Sequence, residues 1–287
     1  MTRLWGCWQR VWDFEAPRQT YVRLRVALGA MWVVVFLSLI PNAPLLYDAE
    51  RGLSPTRMRA TLGGVHLDYF DRLTGPEVYA AIALGVIASV LYAAGIVPLV
   101  MGLLIYVIHL GFQYRCYTWM DGSDDLIRAL LFCLLWVPWW RKGDRLPGWP
   151  LRLWQGQVAV MYLATAIWKS QGADWTNGSA LYWILSDPRW TRFPTELLVG
   201  TSAGQLFLRL STWGTLVLEY ALPVLLFWPR TRRGAILVGV ALHLGIWLSM
   251  RVGLFTPVVL MSYLAFWDGD LPGARWYRRR KGLIGVG

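Results

Sequence analysis

Charged residues are scarce in this chain of 287 residues, of which 16% are charged and 56% are hydrophobic. A soluble domain usually has about 25% charged and about 45–50% apolar residues. The mean hydropathy is +0.41, and the apolar residues form runs of roughly 18 or more with few charges. This composition excludes an ordinary soluble domain and predicts a polytopic membrane protein.

The sequence also lacks the patterns of a metal centre and of a secreted precursor. Its three cysteines, Cys7, Cys116 and Cys133, form no CxxC and no zinc-type spacing, so we expect no metal. Cys133 lies within an apolar run and is expected to be a small buried residue. The N-terminus has neither a continuous apolar core nor a small-residue cleavage site, which argues against a secretory signal peptide.

No nucleic-acid-binding motif accompanies the net charge of +11. The basic residues lie in short segments beside the apolar runs, where they would meet anionic lipid headgroups. Membrane lipid, and not nucleic acid, is therefore the expected partner.

Tryptophan is abundant: the chain has 19, many of them at the ends of apolar runs. Aromatic belts at the two membrane–water interfaces have this placement. Residues 1–22 are predicted to be an amphipathic segment lying in the interface, because apolar residues follow helical spacing opposite charged ones. The apolar set is Leu4, Trp5, Trp8, Val11 and Trp12, and the charged set is Arg3, Arg10 and Asp13.

The apolar runs predict an all-α transmembrane bundle of about eight spans. We place the spans at 24–46, 77–96, 98–112, 124–140, 152–169, 211–228, 234–250 and 252–267. Lysine and arginine are enriched in the connections that this count places inside, so both termini are predicted to be cytoplasmic. The transmembrane domain would cover 23–268, with outer loops 47–76 and 170–210 and a basic cytoplasmic tail at 269–287.

A group of ionisable residues lies at the turn between the third and fourth predicted spans. As a polar turn, Asp124 would cap the start of a helix and Arg115 would pair with a carboxylate. Arg128 lies a turn inside the fourth span, so it must pair with a carboxylate or line a polar cavity. Asp121 and Asp125 fit a polar turn and a binding site equally well.

Lys169 is a lysine at the outer end of the fifth predicted span. It would either extend its ammonium to the outer headgroups or act as a base in a poorly hydrated pocket. Gln155 and Tyr162 precede it at intervals of two helical turns and form a polar stripe with it. Apolar surroundings disfavour the charged ammonium and so lower the pKa of a lysine. Such a shift would make Lys169 a usable base.

Two further polar residues lie within predicted spans. His243, in the seventh, is either a packed, hydrogen-bonded residue or part of a site. Glu219, in the sixth, must be neutral, paired or exposed to water. Arg209 and Arg251 are plausible partners for Glu219, and the sequence does not choose between them.

Three segments carry a resemblance to a known family: "QVAVMYLATAIWKSQGADWTNGSALYWIL", "HLGIWLSMRVGLFTPVVLMSYLAF" and "GSDDLIRALLFCLLWVP". Together they resemble the vitamin K-dependent gamma-glutamyl carboxylase family and its bacterial relatives, the HTTM-domain proteins. The resemblance extends from about Arg23 to Phe266 and implies an integral, multi-pass protein of a bacterial inner membrane.

The resemblance implies a mechanism in which Lys169, as a free amine, deprotonates a reduced quinone of the vitamin K or menaquinol type. Oxygen then adds, and a strongly basic intermediate removes a γ-proton from a glutamate, whose carbanion captures carbon dioxide. His243 matches the family's histidine and is the second catalytic candidate. The other candidates for the quinone and substrate pocket are Asp124, Asp125, Arg128, Arg115, Tyr162, Trp168, Asp174, Trp175 and Glu219.

The chain departs from the carboxylases at several positions. Trp168 stands where they have a second lysine, they have a histidine near Asp124, and apolar Gly245–Ile246 replaces a polar residue. The large luminal portion that grips the substrate's propeptide is also expected to be missing. Quinone binding can therefore persist without carboxylation of a protein substrate.

Three functions follow as alternatives. A quinol-using enzyme would have Lys169, His243 and the 124–128 segment around one cavity. A maturation factor for an exported peptide would have a polar outer cleft covered by 47–76 and 170–210. A small-solute transporter would need inverted repeats and broken helices at the midplane, and the sequence has neither feature.

Overall fold

The computed structural model describes residues 12–50, 52, 70–116 and 120–267. Each of the eight predicted apolar segments contains a helix. The helices are α1 (Arg18–Leu39), α2 (Gly75–Ala94), α3 (Pro98–Arg115), α4 (Gly122–Leu135), α5 (Trp149–Gln171), α6 (Ser202–Phe227), α7 (Arg232–Ser249) and α8 (Phe255–Ser262). Short helices at Ala43–Leu46, Ala173–Thr176, Ala180–Ser186 and Glu196–Val199 complete the set of described α-helices.

Three of the described helical segments are long and apolar enough to cross a membrane: Arg18–Leu46, Gly75–Ala94 and Ser202–Phe227. The first of them continues α1 through a turn of 3₁₀-helix and the short helix that follows. Others are shorter than the roughly 20 residues that cross a bilayer, since α4 has 14 residues and α8 has 8. The predicted helical class is confirmed.

A two-stranded antiparallel ribbon is an exception to the all-α prediction. It pairs Glu15–Pro17 with Arg145–Pro147. Within the predicted interfacial segment 1–22, Trp12 is helical, the strand Glu15–Pro17 follows it, and α1 begins at Arg18. The amphipathic helix itself stays a prediction. The residues before 12 and the predicted tail 269–287 lie outside the described residues.

Three contacts join helix ends that are far apart in the chain. Along the chain, each pair of joined ends encloses two or four of the helices α1–α8. Arg18, at the start of α1, donates from Nε to the carbonyl of Gly143, between α4 and α5, at 2.8 Å. Trp154, near the start of α5, donates to the carbonyl of Ser262, at the end of α8, at 3.1 Å. A β-bridge pairs Thr191, before α6, with Met250, after α7. Each of these contacts brings together two ends that an alternating up-and-down arrangement would place on the same side.

Small residues let α1 and α2 approach closely. A Cβ atom on Gly29 would lie 2.7 Å from the Cβ of Ala93 and 2.9 Å from the carbonyl oxygen of Ser89. Helices in membranes commonly pack through small residues, because these let the two backbones come together.

We expect Gly29→Ala to lower the free energy of unfolding by about 1–3 kcal/mol, because the added methyl group overpacks this contact. Gly214→Ala is the matched control: its Cβ would have no neighbour within 4 Å, so alanine's better helix propensity should leave stability unchanged or raised. The measurement is thermal unfolding of both variants in detergent. Equal stability of the two would contradict the close α1–α2 contact.

Candidate functional site

Lys169 pairs with Glu219 across the contact between α5 and α6. The Lys169 Nζ lies 2.5 Å from the Glu219 Oε1, and the two side chains are 24% and 7% exposed. The sequence offered Arg209 and Arg251 as plausible partners of Glu219, and neither takes this place. Arg209 lies against Gly178, and Arg251 lies beside Trp190. The sequence does not reveal which helices are neighbours, so it could not identify this pair.

An aromatic ring covers the lysine of this pair. The Lys169 Nζ lies 4.6 Å from the ring centre of Trp175, which follows α5 in the short helix Ala173–Thr176. A cation placed over an indole ring is attracted by the ring's electron density. Trp175 therefore contacts the lysine that the sequence selected, and its role in a quinone pocket stays a prediction.

Two other predicted pocket residues, Trp168 and Asp174, point away from the Lys169–Glu219 pair or bond elsewhere. Trp168 is 74% exposed, because consecutive residues of a helix point about 100° apart and Lys169 takes the inward direction. Asp174 is exposed and accepts a hydrogen bond from the Ser179 hydroxyl at 2.9 Å. Neither side chain has a described contact with the side chains of Lys169 or Glu219, and their assignment to the quinone pocket stays a prediction.

A buried hydrogen-bonded network lies deeper between α5, α7 and the C-terminal end of α8. The Tyr162 hydroxyl is 2.7 Å from the Nε2 of His243 and also contacts the Tyr263 hydroxyl. Tyr162 is 1% exposed and His243 is 2% exposed. His243 is thus packed and hydrogen-bonded as well as close to the candidate base. The sequence analysis did not select Tyr263, whose signal was a phenol in the mostly apolar final segment.

The ion pair and the buried network belong to one cluster, the Lys169 cluster, formed by Tyr162, Lys169, Glu219, His243 and Tyr263. Lys169 lies within electrostatic range of His243, and Glu219 lies within range of Tyr162. Two of its atoms, Oε2 of Glu219 and Nδ1 of His243, are buried without a hydrogen-bond partner in the described part of the chain. Thr165 also lies within hydrogen-bonding reach of the Glu219 carboxylate, so Nδ1 of His243 is the clearer unpaired atom of the two.

The predicted polar stripe on α5 is confirmed. Gln155 is buried and donates from Nε2 to the carbonyl of Ala265 at 2.7 Å. With Tyr162 and Lys169 it lies on the face of α5 that packs against other helices.

We expect Tyr162→Phe to lower the free energy of unfolding by about 1–3 kcal/mol, because buried polar groups of His243 and Tyr263 lose their partner. The matched control is Tyr220→Phe, which removes the 2.9 Å contact of an exposed hydroxyl with Ser170. Water replaces that contact, so the control should be close to neutral. Thermal unfolding measures both, and a neutral Tyr162→Phe would argue against the network.

A second polar cluster joins α3 to the start of α4. His109 is fully buried, and its Nε2 lies 3.0 Å from Oδ1 of Asp124. The predicted helix cap needs a correction: the N-cap residue is Asp121, whose carboxylate accepts from the Ser123 amide at 2.6 Å. Asp124 completes the capping box by accepting from the Asp121 amide at 2.9 Å. His109 was missed, although a histidine inside an apolar run is the same signal that selected His243.

Arg128 both pairs with a carboxylate and lines a cavity, as predicted. Its Nη2 lies 2.5 Å from Oδ1 of Asp125, which also accepts from Gln113 at 3.2 Å. The cavity has a volume of about 450 Å³ and is lined by Tyr106, Asp125, Arg128, Ala129, Phe132, Cys133, Leu153 and Gln157. Its lining includes neither Lys169 nor His243, so the expected common cavity is not formed at this place.

Arg115 is not among the residues that line the cavity beside Arg128. It is 1% exposed and donates from Nη2 to the carbonyl of Asp48 at 3.1 Å. This contact ties the C-terminal end of α3 to the segment after α1.

An open cleft of about 440 Å³ lies in the predicted outer loop 170–210. Its walls carry both charged and apolar side chains: Leu185, Ser186, Pro188, Thr191, Arg192, Phe193, Pro194, Thr195, Glu196, Val199 and Arg251. Most of the other predicted cover, 47–76, lies outside the described residues.

The fold and these clusters define a helical protein with apolar helices suited to a membrane and with ionisable residues held between them. The model of the HTTM domain family matches residues 136–270, so the chain contains an HTTM domain there. The match includes the Lys169 cluster, but it begins after Asp124 and Arg128, well inside the range from Arg23 that the resemblance suggested. No curated protein and no solved structure matched the chain.

Proposed function

We propose that the chain is a multi-pass membrane protein with eight spans and both termini cytoplasmic, in the inner membrane of a bacterium. The hydrogen bonds between helix ends support an up-and-down arrangement, and the basic connections support the orientation. In this proposal the transmembrane domain covers 23–268, between an N-terminal segment and a basic tail.

We propose further that it is a vitamin K-dependent carboxylase-like enzyme that uses a reduced quinone, with Lys169 as the amine base. The single observation that carries the proposal is the Lys169–Glu219 pair beneath Trp175, inside the HTTM domain. That domain family is associated with vitamin K-dependent carboxylase.

Glu219 can take the proton that Lys169 must lose before it acts as a base. Moving this proton from the ammonium to the carboxylate converts two charged groups into two neutral ones. Charged groups are costly where water is scarce, so the neutral pair becomes accessible there. The free amine of Lys169 then accepts a proton from a hydroquinone hydroxyl.

The Lys169 cluster fits a hydroquinone head group in its chemistry. Nδ1 of His243 is a buried atom without a hydrogen-bond partner among the described residues, and it can hydrogen-bond to a hydroxyl. Trp175 offers an aromatic face beside the amine. Oxygen would be the oxidant and the quinol would be oxidised, giving one epoxide and one water per quinol. Carbon dioxide is the further co-substrate if carboxylation is retained.

The test is to incubate the purified protein with reduced menaquinone or vitamin K and oxygen and to measure the epoxide by mass spectrometry. We expect epoxide only when both the reduced quinone and oxygen are present. Oxidised quinone and an oxygen-free reaction are the controls. An inactive wild-type protein would transfer support to the alternative below.

The alternative is a maturation factor for an exported peptide, and the cleft of about 440 Å³ favours it. Arg192, Glu196 and Arg251 offer both signs of charge beside apolar side chains in this cleft. A peptide could therefore bind there without any reaction at Lys169.

A further inference from the structure

A third feature lies where α1, α3 and the start of α4 meet. Three buried polar atoms there have no hydrogen-bond partner among the described residues: Nε1 of Trp32, the hydroxyl of Tyr47 and Nδ1 of His109. Each unmade bond of a buried group costs about 1–3 kcal/mol. Such atoms usually face a ligand or ordered water.

The three side chains belong to one region, the His109 site, which consists of Trp32, Tyr47, His109 and Asp124. The rings of Trp32 and His109 are 4.7 Å apart, edge to face. Tyr47 packs at 4.8 Å against Phe112, which is close to His109 on α3, and lies within electrostatic range of Asp124.

The chemistry of each group determines what it can bind. A carboxylate only accepts hydrogen bonds, so the Nε2 of His109 carries a hydrogen towards Asp124, and the Nδ1 of the neutral ring is an acceptor. The indole Nε1 of Trp32 is a donor only. Burial raises the pKa of the Tyr47 phenol above its usual value, so this hydroxyl keeps its proton. The His109 site thus presents one acceptor and two donors.

We propose that the His109 site binds the hydroxyl group of a small, neutral, phenol-like molecule. The bound hydroxyl would donate to Nδ1 of His109 and accept from Trp32 or Tyr47. Asp124 is a positioning residue, because it fixes which ring nitrogen carries the hydrogen. This inference does not depend on any reaction at Lys169.

The surroundings favour a neutral aromatic ligand. The carboxylate of Asp124 and the guanidinium of Arg115 both lie near Tyr47 and have opposite charges. An ion of either sign would therefore meet a like charge as well as an opposite one. Aromatic side chains surround the region, since Phe36 packs on Trp32 and Phe70 packs on Phe112, and flat rings pack well against such walls.

The test uses phenol and anisole as probes of the full chain in lipid nanodiscs, with empty nanodiscs subtracted. Anisole keeps the ring but has no hydroxyl hydrogen to donate. Saturation-transfer NMR titrations should give a phenol affinity about 10-fold higher than that of anisole, the factor for one good hydrogen bond. Because the Lys169 cluster is itself proposed to bind a hydroquinone hydroxyl, the comparison is made in a His243→Phe background, which removes the imidazole acceptor of that cluster. The preference for phenol should persist in His243→Phe and disappear when His109→Phe is added.

Three outcomes would overturn the proposal. Phenol binding no greater than in empty nanodiscs would mean that only water occupies the site. Equal binding of phenol and anisole would mean that the hydroxyl is not recognised. Loss of binding in His243→Phe but not in His109→Phe would place the phenol in the Lys169 cluster.

Asp124→Asn provides a second variant in case His109→Phe does not fold. Its amide can donate to Nε2 and so move the ring hydrogen to Nδ1, which then no longer accepts. We expect phenol to bind a few-fold more weakly to this variant, at an unfolding temperature close to that of the wild type. Unchanged phenol binding in a folded Asp124→Asn protein would overturn the role of Asp124 in the proposal.

Discussion

Replacing Lys169 by alanine is expected to lower epoxide formation by about 10²–10⁴-fold, the usual contribution of a positioned base. The reaction needs an amine that can accept the hydroquinone proton, and Lys169 is the amine held between Glu219 and Trp175. The measurement is the initial rate of epoxide formation from reduced menaquinone and oxygen.

Two further variants separate chemistry from structure. Lys169→Arg keeps a cation opposite Glu219 but cannot supply a free base, because a guanidinium does not lose its proton in proteins. It should therefore be as inactive as the alanine variant. Lys142→Ala changes an exposed lysine in the connection between α4 and α5 and should be fully active. Activity in Lys169→Arg would show that the cation is structural and that the base lies elsewhere.

Replacing Glu219 by alanine should lower the free energy of unfolding by about 2–3 kcal/mol, because it leaves the Lys169 ammonium without its carboxylate. We place the effect below that for a fully buried pair, since the Lys169 side chain is 24% exposed. Thermal unfolding in detergent measures the change, and no quinone is needed.

The double variant Lys169→Met/Glu219→Leu tests the cause of this loss. Removing both charges leaves no uncompensated ion, so stability should return close to that of the wild type. Asp187→Ala is the control for an exposed pair, since Arg189 opposite it is 84% exposed, and such pairs contribute about 0–1 kcal/mol. A double variant as unstable as Glu219→Ala would mean that packing, and not charge, causes the loss.

The helices could be predicted because a bilayer requires continuous apolar length. The residues at which the helices begin and end were predicted less accurately than the helices themselves. The sixth span was expected at 211–228, whereas α6 begins at Ser202, where the Thr201 hydroxyl accepts from the amide of Gly204. Polar turns such as the one with Gln205 and Arg209 extend a helix beyond its apolar part, and hydropathy does not detect them.

The candidate site was predicted in part. Lys169, Tyr162 and His243 were selected because polar groups among apolar residues need partners, and the structure brings them together. Asp125 and Arg128 were expected beside them but line a cavity whose walls include none of these three residues. The first group combines residues of α5 and α7, the second lies on α4, and the sequence contains no measure of the distance between helices.

The sequence by itself determined the class of this protein, its helical segments and the residues that are costly to bury, because all three follow from local composition and spacing. Only the tertiary structure decided that Glu219 is the partner of Lys169, that Tyr263 joins Tyr162, and that His109 holds Asp124. Each of these pairs joins different helices, and the order of helices around a bundle depends on packing between faces far apart in the chain.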